Sequence, residues 1–256
     1  MDDLHPKTVL ITGAARRIGC ALALDLASHG WSVAVHHNHS TEDAQEVVRL
    51  IHAQGGKAVA LQADLSRETE TTALIPRAIE ALGPMTALIN NASVFKDDSV
   101  ASMTRDSWDE HIETNLRAPF VLIQSFSTQL SSKQSGCVIN VLDQRVWNLT
   151  PRFLSYTVSK SALWTLTRTL AMALAPRIRV NAIGPGPTLR NERQTEEHFQ
   201  SQCRNTPLQR QISLKDICDA ARYLLSAQTV TGQMIALDGG EHLGWAQPGS
   251  GLPPSE

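Results

Sequence analysis

Apolar and polar positions along the chain follow two alternating rhythms. Short apolar runs, KTVLIT, WSVAVHH, KAVALQADL, TALIN, GCVINVLD, RIRVNAIG and QMIALDGG, read as strands. Between them, apolar residues recur at helical spacing over residues 17–29, 41–54, 68–82, 153–175 and 214–226. Strand followed by helix, repeated, is the pattern of a parallel sheet covered on both faces, because each crossover helix must bury its apolar stripe against the sheet. The expected fold is α/β, a single doubly wound parallel sheet of about seven strands with helices on both faces, over residues 7–243. One long irregular stretch runs from Pro185 to about Ser213. Loops of that length in a compact domain are functional or disordered.

A chain of 256 residues is long enough for one large domain with a substantial core. Its formal charge of −2, with both signs interspersed, argues against a nucleic-acid footprint, so any phosphate site must be local. Cys20, Cys137, Cys203 and Cys218 show neither C-x-x-C pairing nor zinc-like spacing, which fits reduced thiols and no metal. MDDLHPK lacks the order of a signal peptide, and no apolar run approaches the ~20 residues that span a bilayer. A soluble, cytoplasmic protein with no membrane partner is expected. Residues 1–6 and the Pro, Gly and Ser-rich residues 244–256 read as flexible termini outside the fold.

In such a sheet the ligand lies beyond the carboxyl ends of the strands, where the first strand turns into its helix. TGAARRIG, Thr12 to Gly19, occupies that place. Gly13 permits the tight turn, Gly19 lets helix and strand approach, and the helix N-terminus offers N–H groups to a pyrophosphate. Arg16 and Arg17 stand at the positive end of that helix, which is unfavourable by a few tenths of a kcal/mol unless an anion is present. At the end of the second strand an NAD site carries an acid for the ribose hydroxyls, and a 2′-phosphate would be repelled by it. This chain reads VAVHHNHST there, where His36, His37, Asn38, His39 and Ser40 can donate to phosphate and Arg16 can reach it. NADP is therefore expected over NAD. Three histidines in four residues do not suggest a metal, because alternate strand residues face opposite ways and no carboxylate joins them.

Tyr156 and Lys160 stand at i and i+4 in YTVSK, on one face of a helix. A phenol with a reference pKa of ~10 becomes a usable proton donor when a nearby ammonium favours its phenolate. Glycine turn and Tyr/Lys pair together resemble the short-chain dehydrogenase/reductase family, and the resemblance runs from Thr8 to about His242. TGAARRIG, with Gly13, Arg16, Arg17, Ile18 and Gly19, is similar to its cofactor turn; ADL, with Asp64 and Leu65, to its adenine-side motif. NNAS, with Asn91, Ala92 and Ser93, resembles its fourth-strand motif, Asn115 its helix asparagine, and GPGPT, with Pro185 and Gly186, the turn beside the nicotinamide amide. The resemblance implies a Rossmann-type fold, hydride transfer with a nicotinamide, Tyr156 as acid/base, and Lys160 binding the nicotinamide ribose while lowering the tyrosine pKa. It further implies that Asn115 helps hold a water reaching Lys160, and that the chain forms a homotetramer or homodimer through helices such as residues 164–175.

The departures narrow the expectation. Thirteen residues before the tyrosine most members have a carbonyl-polarising serine, and here stands Asp143. A carboxyl in a partly dehydrated cleft can hold a proton near neutrality, which suits reduction of a C=N bond, whose nitrogen must gain one; a turn aspartate bonding its own backbone is the plainer alternative. Arg17 in the glycine turn, Ser93 for glycine, Phe95 and Asp143 together resemble the pteridine reductases and the short-chain dihydromonapterin or dihydrofolate reductases. That subgroup implies a substrate site of Arg17, Phe95, Asp143 and Tyr156, with Phe95 stacking the pterin. HHNHS lacks the arginine of the eukaryotic pteridine reductases, and Arg145 and Trp147 are added beside the cleft. Residues 187–212 read as a lid over substrate. The leading expectation is an NADPH-dependent dihydropterin reductase. A carbonyl or 3-oxoacyl-thioester reductase is the alternative, and a non-catalytic NADP sensor is disfavoured by the presence of Asn115, Tyr156 and Lys160.

Overall fold

A computed structural model of the chain describes residues 4–191 and 193–244. Seven strands, β1 (Thr8–Ile11), β2 (Ser32–His37), β3 (Ala58–Gln62), β4 (Ala87–Asn90), β5 (Gly136–Val141), β6 (Ile178–Pro185) and β7 (Met234–Leu237), form one sheet. Their order is β3-β2-β1-β4-β5-β6-β7, and every neighbouring pair is parallel. Eight α-helices accompany them: α1 (Arg17–Ser28), α2 (Thr41–Ala53), α3 (Glu68–Leu82), α4 (Arg105–Ile112), α5 (Ala118–Gln129), α6 (Leu154–Ala173), α7 (Glu196–Arg204) and α8 (Leu214–Ser226).

Strand alternation builds the two faces. Val9 and Ile11 join Val33 and Val35 against Leu22 and Leu26 of α1, Val47 and Ile51 of α2, and Ile217 and Leu224 of α8. Leu10 points the other way, with Leu88 and Val138, onto Leu74 and Ile75 of α3 and Leu122, Ile123 and Phe126 of α5. Each such side chain, removed from water, contributes about 1.5–3 kcal/mol, so the sheet is fixed from both sides and its strand ends become a rigid platform. Ser213 caps α8, its hydroxyl accepting from the Asp216 N–H at 3.1 Å while the Asp216 carboxylate accepts from the Ser213 hydroxyl at 2.7 Å.

Three details differ from the sequence pattern. Residues 105–129 form a helical rod that apolar spacing does not announce, because α4 is almost wholly polar, RDSWDEHI. Its middle, Glu113–Arg117, is a π turn, and the bulge delivers Asn115 inward. The packed structure also starts earlier than residue 7, since Leu4 is buried in the core beneath the sheet. Of the termini expected to be flexible, 1–6 and 244–256, residues 1–3 and 245–256 lie outside the described residues. Within 187–212 the polar stretch folds as α7, anchored by buried Phe199 and Cys203.

β1 and β4 lie side by side while the chain leaves β1 toward β2 and leaves β4 toward β5. That reversal opens a crevice at their carboxyl ends, where doubly wound folds hold ligands.

Candidate active site

A cleft of about 1090 Å³ fills this crevice. Its floor is the glycine turn. Gly13 has φ +62, and a Cβ there would meet the Ala92 Cα at 3.0 Å; a Cβ on Gly19 would stand 2.2 Å from the Gly13 carbonyl oxygen. The Asn91 amide donates to the carbonyls of Thr12 at 2.8 Å and Gly13 at 3.1 Å. The Thr12 hydroxyl oxygen accepts from the N–H groups of Asn91 and Ala92. Strand β4 and the turn are thus one unit. Arg16 stands at the N-cap of α1 and makes no side-chain capping bond, and Arg17, Ile18 and Gly19 of the first turn line the cleft.

His36 secures the turn from below. Its Nδ1 accepts from the Gly13 N–H at 3.0 Å and its Nε2–H donates to the Ala63 carbonyl at 3.1 Å. Burial pushes its pKa down to about 4, with His37 and Arg77 adding to the effect against the Ala63 bond, so the ring is neutral. His36 is therefore a structural acceptor rather than a phosphate donor. His37 is buried and Ser40 lies beyond the cleft wall, so neither joins the site as expected, whereas Asn38 and His39 do line it. β2 ends at His37, so Asn38 and His39 belong to the turn that follows the strand.

The two arginines are occupied differently from expectation. Arg16 lines the cleft beside Asn38 and His39 and donates through Nε to Asp43 at 2.6 Å, in the first turn of α2. Arg17, with φ +55, reaches across the cleft and donates to the carbonyls of Leu189 and Arg190, both at 2.9 Å. It ties the glycine turn to the lid. Ile18, Asp64, Leu65, Ser93, Pro185 and Gly186 all line the cleft. The Asp64 carboxylate accepts from the N–H and hydroxyl of Ser66 at 3.0 and 2.7 Å. Gly186 is required where it stands, since a Cβ would come within 2.6 Å of the Asp238 Cα.

At the other end of the cleft the Tyr156 hydroxyl donates to Asp143 Oδ2 at 2.8 Å. Asp143 Oδ1 accepts from the Arg145 backbone N–H at 2.9 Å, capping the short 3-10 turn Gln144–Val146. The turn reading of Asp143 is met at Oδ1, while Oδ2 faces Tyr156 in the cleft. The Arg145 guanidinium stands 3.9 Å from Oδ2. Lys160, one helical turn after Tyr156, donates Nζ to the Val141 carbonyl at 2.8 Å. Burial lowers its pKa to about 8 against the opposing pull of Asp143.

Asn115 is buried and fully engaged: Oδ1 accepts from the Val94 N–H at 2.8 Å, and Nδ2 donates to the Val94 carbonyl at 2.9 Å and the Ser159 hydroxyl at 3.1 Å. It clamps the loop after β4 to α6. The water-holding role implied by resemblance is not one its side chain performs here, since both its polar atoms are taken by protein.

Phe95 stacks on Phe153, centroids 4.5 Å apart, and meets Tyr156 edge-on at 4.6 Å. Arg145 and Arg193 each lie over this aromatic pair. Trp147 turns away, against Trp164 and His242. Sequence reasoning did not find Phe153, Arg193 or Glu241. Phe153 sits one turn before Tyr156, a spacing that could have flagged it. Glu241 follows β7 with no local motif, yet its carboxyl is pushed up to about 7 by burial and by Asp143, against the pull of Arg145.

The family model described as Enoyl-(Acyl carrier protein) reductase matches residues 13–242, and the chain belongs to the short-chain dehydrogenase/reductase family. Among solved structures it is similar to the FolM alternative dihydrofolate reductase 1 of Brucella suis, at 48% identity and a TM-score of 0.92 over 97% of this chain and 99% of that one. The Brucella canis counterpart is 46% identical, with a TM-score of 0.90 over 96% and 98% of the two chains. Both were crystallised with NADP. The 3-oxoacyl-[acyl-carrier-protein] reductase FabG of Staphylococcus epidermidis is 33% identical over 242 residues, 93% of this chain and 99% of that protein.

Proposed function

We propose that this NADP-dependent oxidoreductase reduces the C=N bond of a dihydropterin, of the dihydromonapterin, dihydrobiopterin or dihydrofolate type, to the tetrahydro form. The observation that carries this reading is the hydrogen bond from Tyr156 to Asp143 at 2.8 Å. Reduction of either a C=O or a C=N bond adds hydride to carbon and a proton to the heteroatom; what favours the C=N reading is Asp143 in place of the usual carbonyl-polarising serine, which gives the phenol a carboxyl partner able to relay that proton to a ring nitrogen. The likeness to the FolM alternative dihydrofolate reductases at 46% and 48% identity supports it.

The residues present suit NADPH. The N-terminus of α1 would receive the pyrophosphate, and Asn38, whose buried Oδ1 has no partner among the described residues, lines the cleft with His39 where the adenosine ribose and its phosphate would rest. When bound, the nicotinamide supplies hydride. Lys160 uses one of three N–H groups on Val141 and would hold the nicotinamide ribose with the others. Its cation favours phenolate on Tyr156, which lowers the barrier to giving up the proton. Asp143 aims the hydroxyl, and Glu241, with a pKa pushed to about 7, stores a proton beside it. Phe95, stacked on Phe153 and flanked by Arg145 and Arg193, would give the pterin an aromatic wall.

The FabG likeness supports a second reading, reduction of a 3-oxoacyl thioester with Asp143 in place of a serine. The test is consumption of NADPH with dihydromonapterin, dihydrobiopterin, dihydrofolate and a 3-oxoacyl thioester in parallel. Turnover of a pterin supports the first reading, and turnover of the thioester alone supports the second.

A further inference from the structure

The cationic side chains around the mouth of the cleft are almost all matched. Arg16 pairs with Asp43 at 2.5 Å, Lys96 with Glu110 at 2.6 Å, and Arg190 with Glu196 at 3.8 Å. Arg152 pairs with Asp97. Arg17 is held by the two lid carbonyls. Arg193, like Arg17, meets no carboxylate among the described residues, but where Arg17 is locked by two carbonyls at 2.9 Å, Arg193 has one longer bond. It lines the cleft, lies 4.9 Å over the Phe95 ring and 5.3 Å over that of Phe153, and donates only to the Phe95 carbonyl, at 3.3 Å. Arg145, on the same aromatic pair, already faces Asp143.

An unmatched guanidinium stacked on aromatic rings keeps its planar donors in place and ready for a carboxylate, which it binds through two parallel N–H bonds. Phe95 is also the ring that meets Tyr156 edge-on. Phe95 thus stands between Tyr156 and Arg193 in one cleft, so Arg193 is within reach of the tail of a substrate that reacts beside Tyr156. We propose that Arg193 is a specificity residue that captures a substrate carboxylate there, so that within the dihydropterin reading the preferred substrate is the one with an aminobenzoyl-glutamate tail, dihydrofolate, over dihydropterins with a neutral hydroxylated side chain. This rests on the reading of the active site above.

The experiment measures kcat/KM of the wild type, Arg193→Gln and Arg193→Lys for dihydrofolate and dihydromonapterin, with saturating NADPH. Glutamine retains a donor for the Phe95 carbonyl without the charge. The ratio of kcat/KM for dihydrofolate to that for dihydromonapterin is expected to fall roughly ten- to a hundredfold in Arg193→Gln, through KM, with partial recovery in Arg193→Lys. 4-Aminobenzoyl-glutamate is expected to compete with dihydrofolate in the wild type and weakly in Arg193→Gln. An unchanged ratio, with both substrates losing equally or neither losing, would overturn the assignment and leave Arg193 as packing on Phe95. A wild type that reduces neither pterin instead overturns the dihydropterin reading, and this inference with it.

Discussion

Tyr156 and Asp143 share a 2.8 Å hydrogen bond although thirteen residues separate them, because β5 ends where the first turn of α6 passes. The opposite oxygen of Asp143 is fixed by the Arg145 N–H, so the carboxylate cannot rotate away without uncapping its own turn. The geometry is that of a proton relay set in a rigid frame.

Asp143→Ala therefore removes the partner that aims the tyrosine. Turnover of a dihydropterin should fall by a factor on the order of 10² to 10⁴, the usual span of general acid–base catalysis. The dissociation constant for NADPH, read by nicotinamide fluorescence, should change by less than about threefold, since Asp143 stands at the far end of the cleft from the glycine turn. Unimpaired turnover would show that Asp143 serves only its turn.

Lys160 gives the reaction an alkaline limit. Its pKa of about 8 means that the cation is lost as pH rises through that value. The profile of kcat/KM should fall above about pH 8, and Lys160→Met should be slow throughout and lack that limb. Stability moves the other way. Because the folded pKa lies below the unfolded ~10.5, the buried charge opposes folding below about 8, and this cost is relieved as pH rises from about 8 toward 10.5. Urea midpoints of wild type and Lys160→Met should converge over that interval.

His36 sets an acid limit of different origin. Its folded pKa of about 4 lies below the ordinary 6.5, so the unfolded chain binds a proton that the folded chain refuses. Its contribution is complete above about pH 6.5 and is lost as pH falls toward 4, on the order of 3 kcal/mol in all. Protonation also removes the acceptor for the Gly13 N–H, so NADPH affinity and the urea midpoint should decline together over that range. Affinity that holds while stability falls would separate the histidine from the cofactor turn.

The sheet and its helices were legible because each strand alternates between two apolar faces and each crossover helix carries one apolar stripe. The rod at residues 105–129 was not, since α4 is held by capping and by buried His111 rather than by an apolar stripe. The catalytic residues were legible by type and spacing, as at Tyr156 and Lys160. Their partners were less so. Nothing in VAVHHNHST says that His36 points under the glycine turn while His39 lines the cleft, because pairing with β1 and β3 sets the phase only up to His37, where β2 ends. Arg17 reads as a phosphate ligand until the lid supplies two carbonyls. Arg193 lies in a polar stretch that gives no cue to the aromatic pair beneath it, and Glu241 acquires its character from burial and from Asp143, neither of which its local sequence announces.

The central claim is that this site delivers hydride to an imine carbon and a proton to the adjoining nitrogen. The most direct measurement supplies NADPH carrying deuterium at the transferable position, adds dihydrofolate, dihydromonapterin or a 3-oxoacyl thioester, and locates the label by mass spectrometry and NMR. The account predicts a tetrahydropterin with one deuterium on the former imine carbon, formed in step with cofactor oxidation. Deuterium found only on the hydroxyl-bearing carbon of a reduced thioester, with the pterins recovered unchanged, would contradict it.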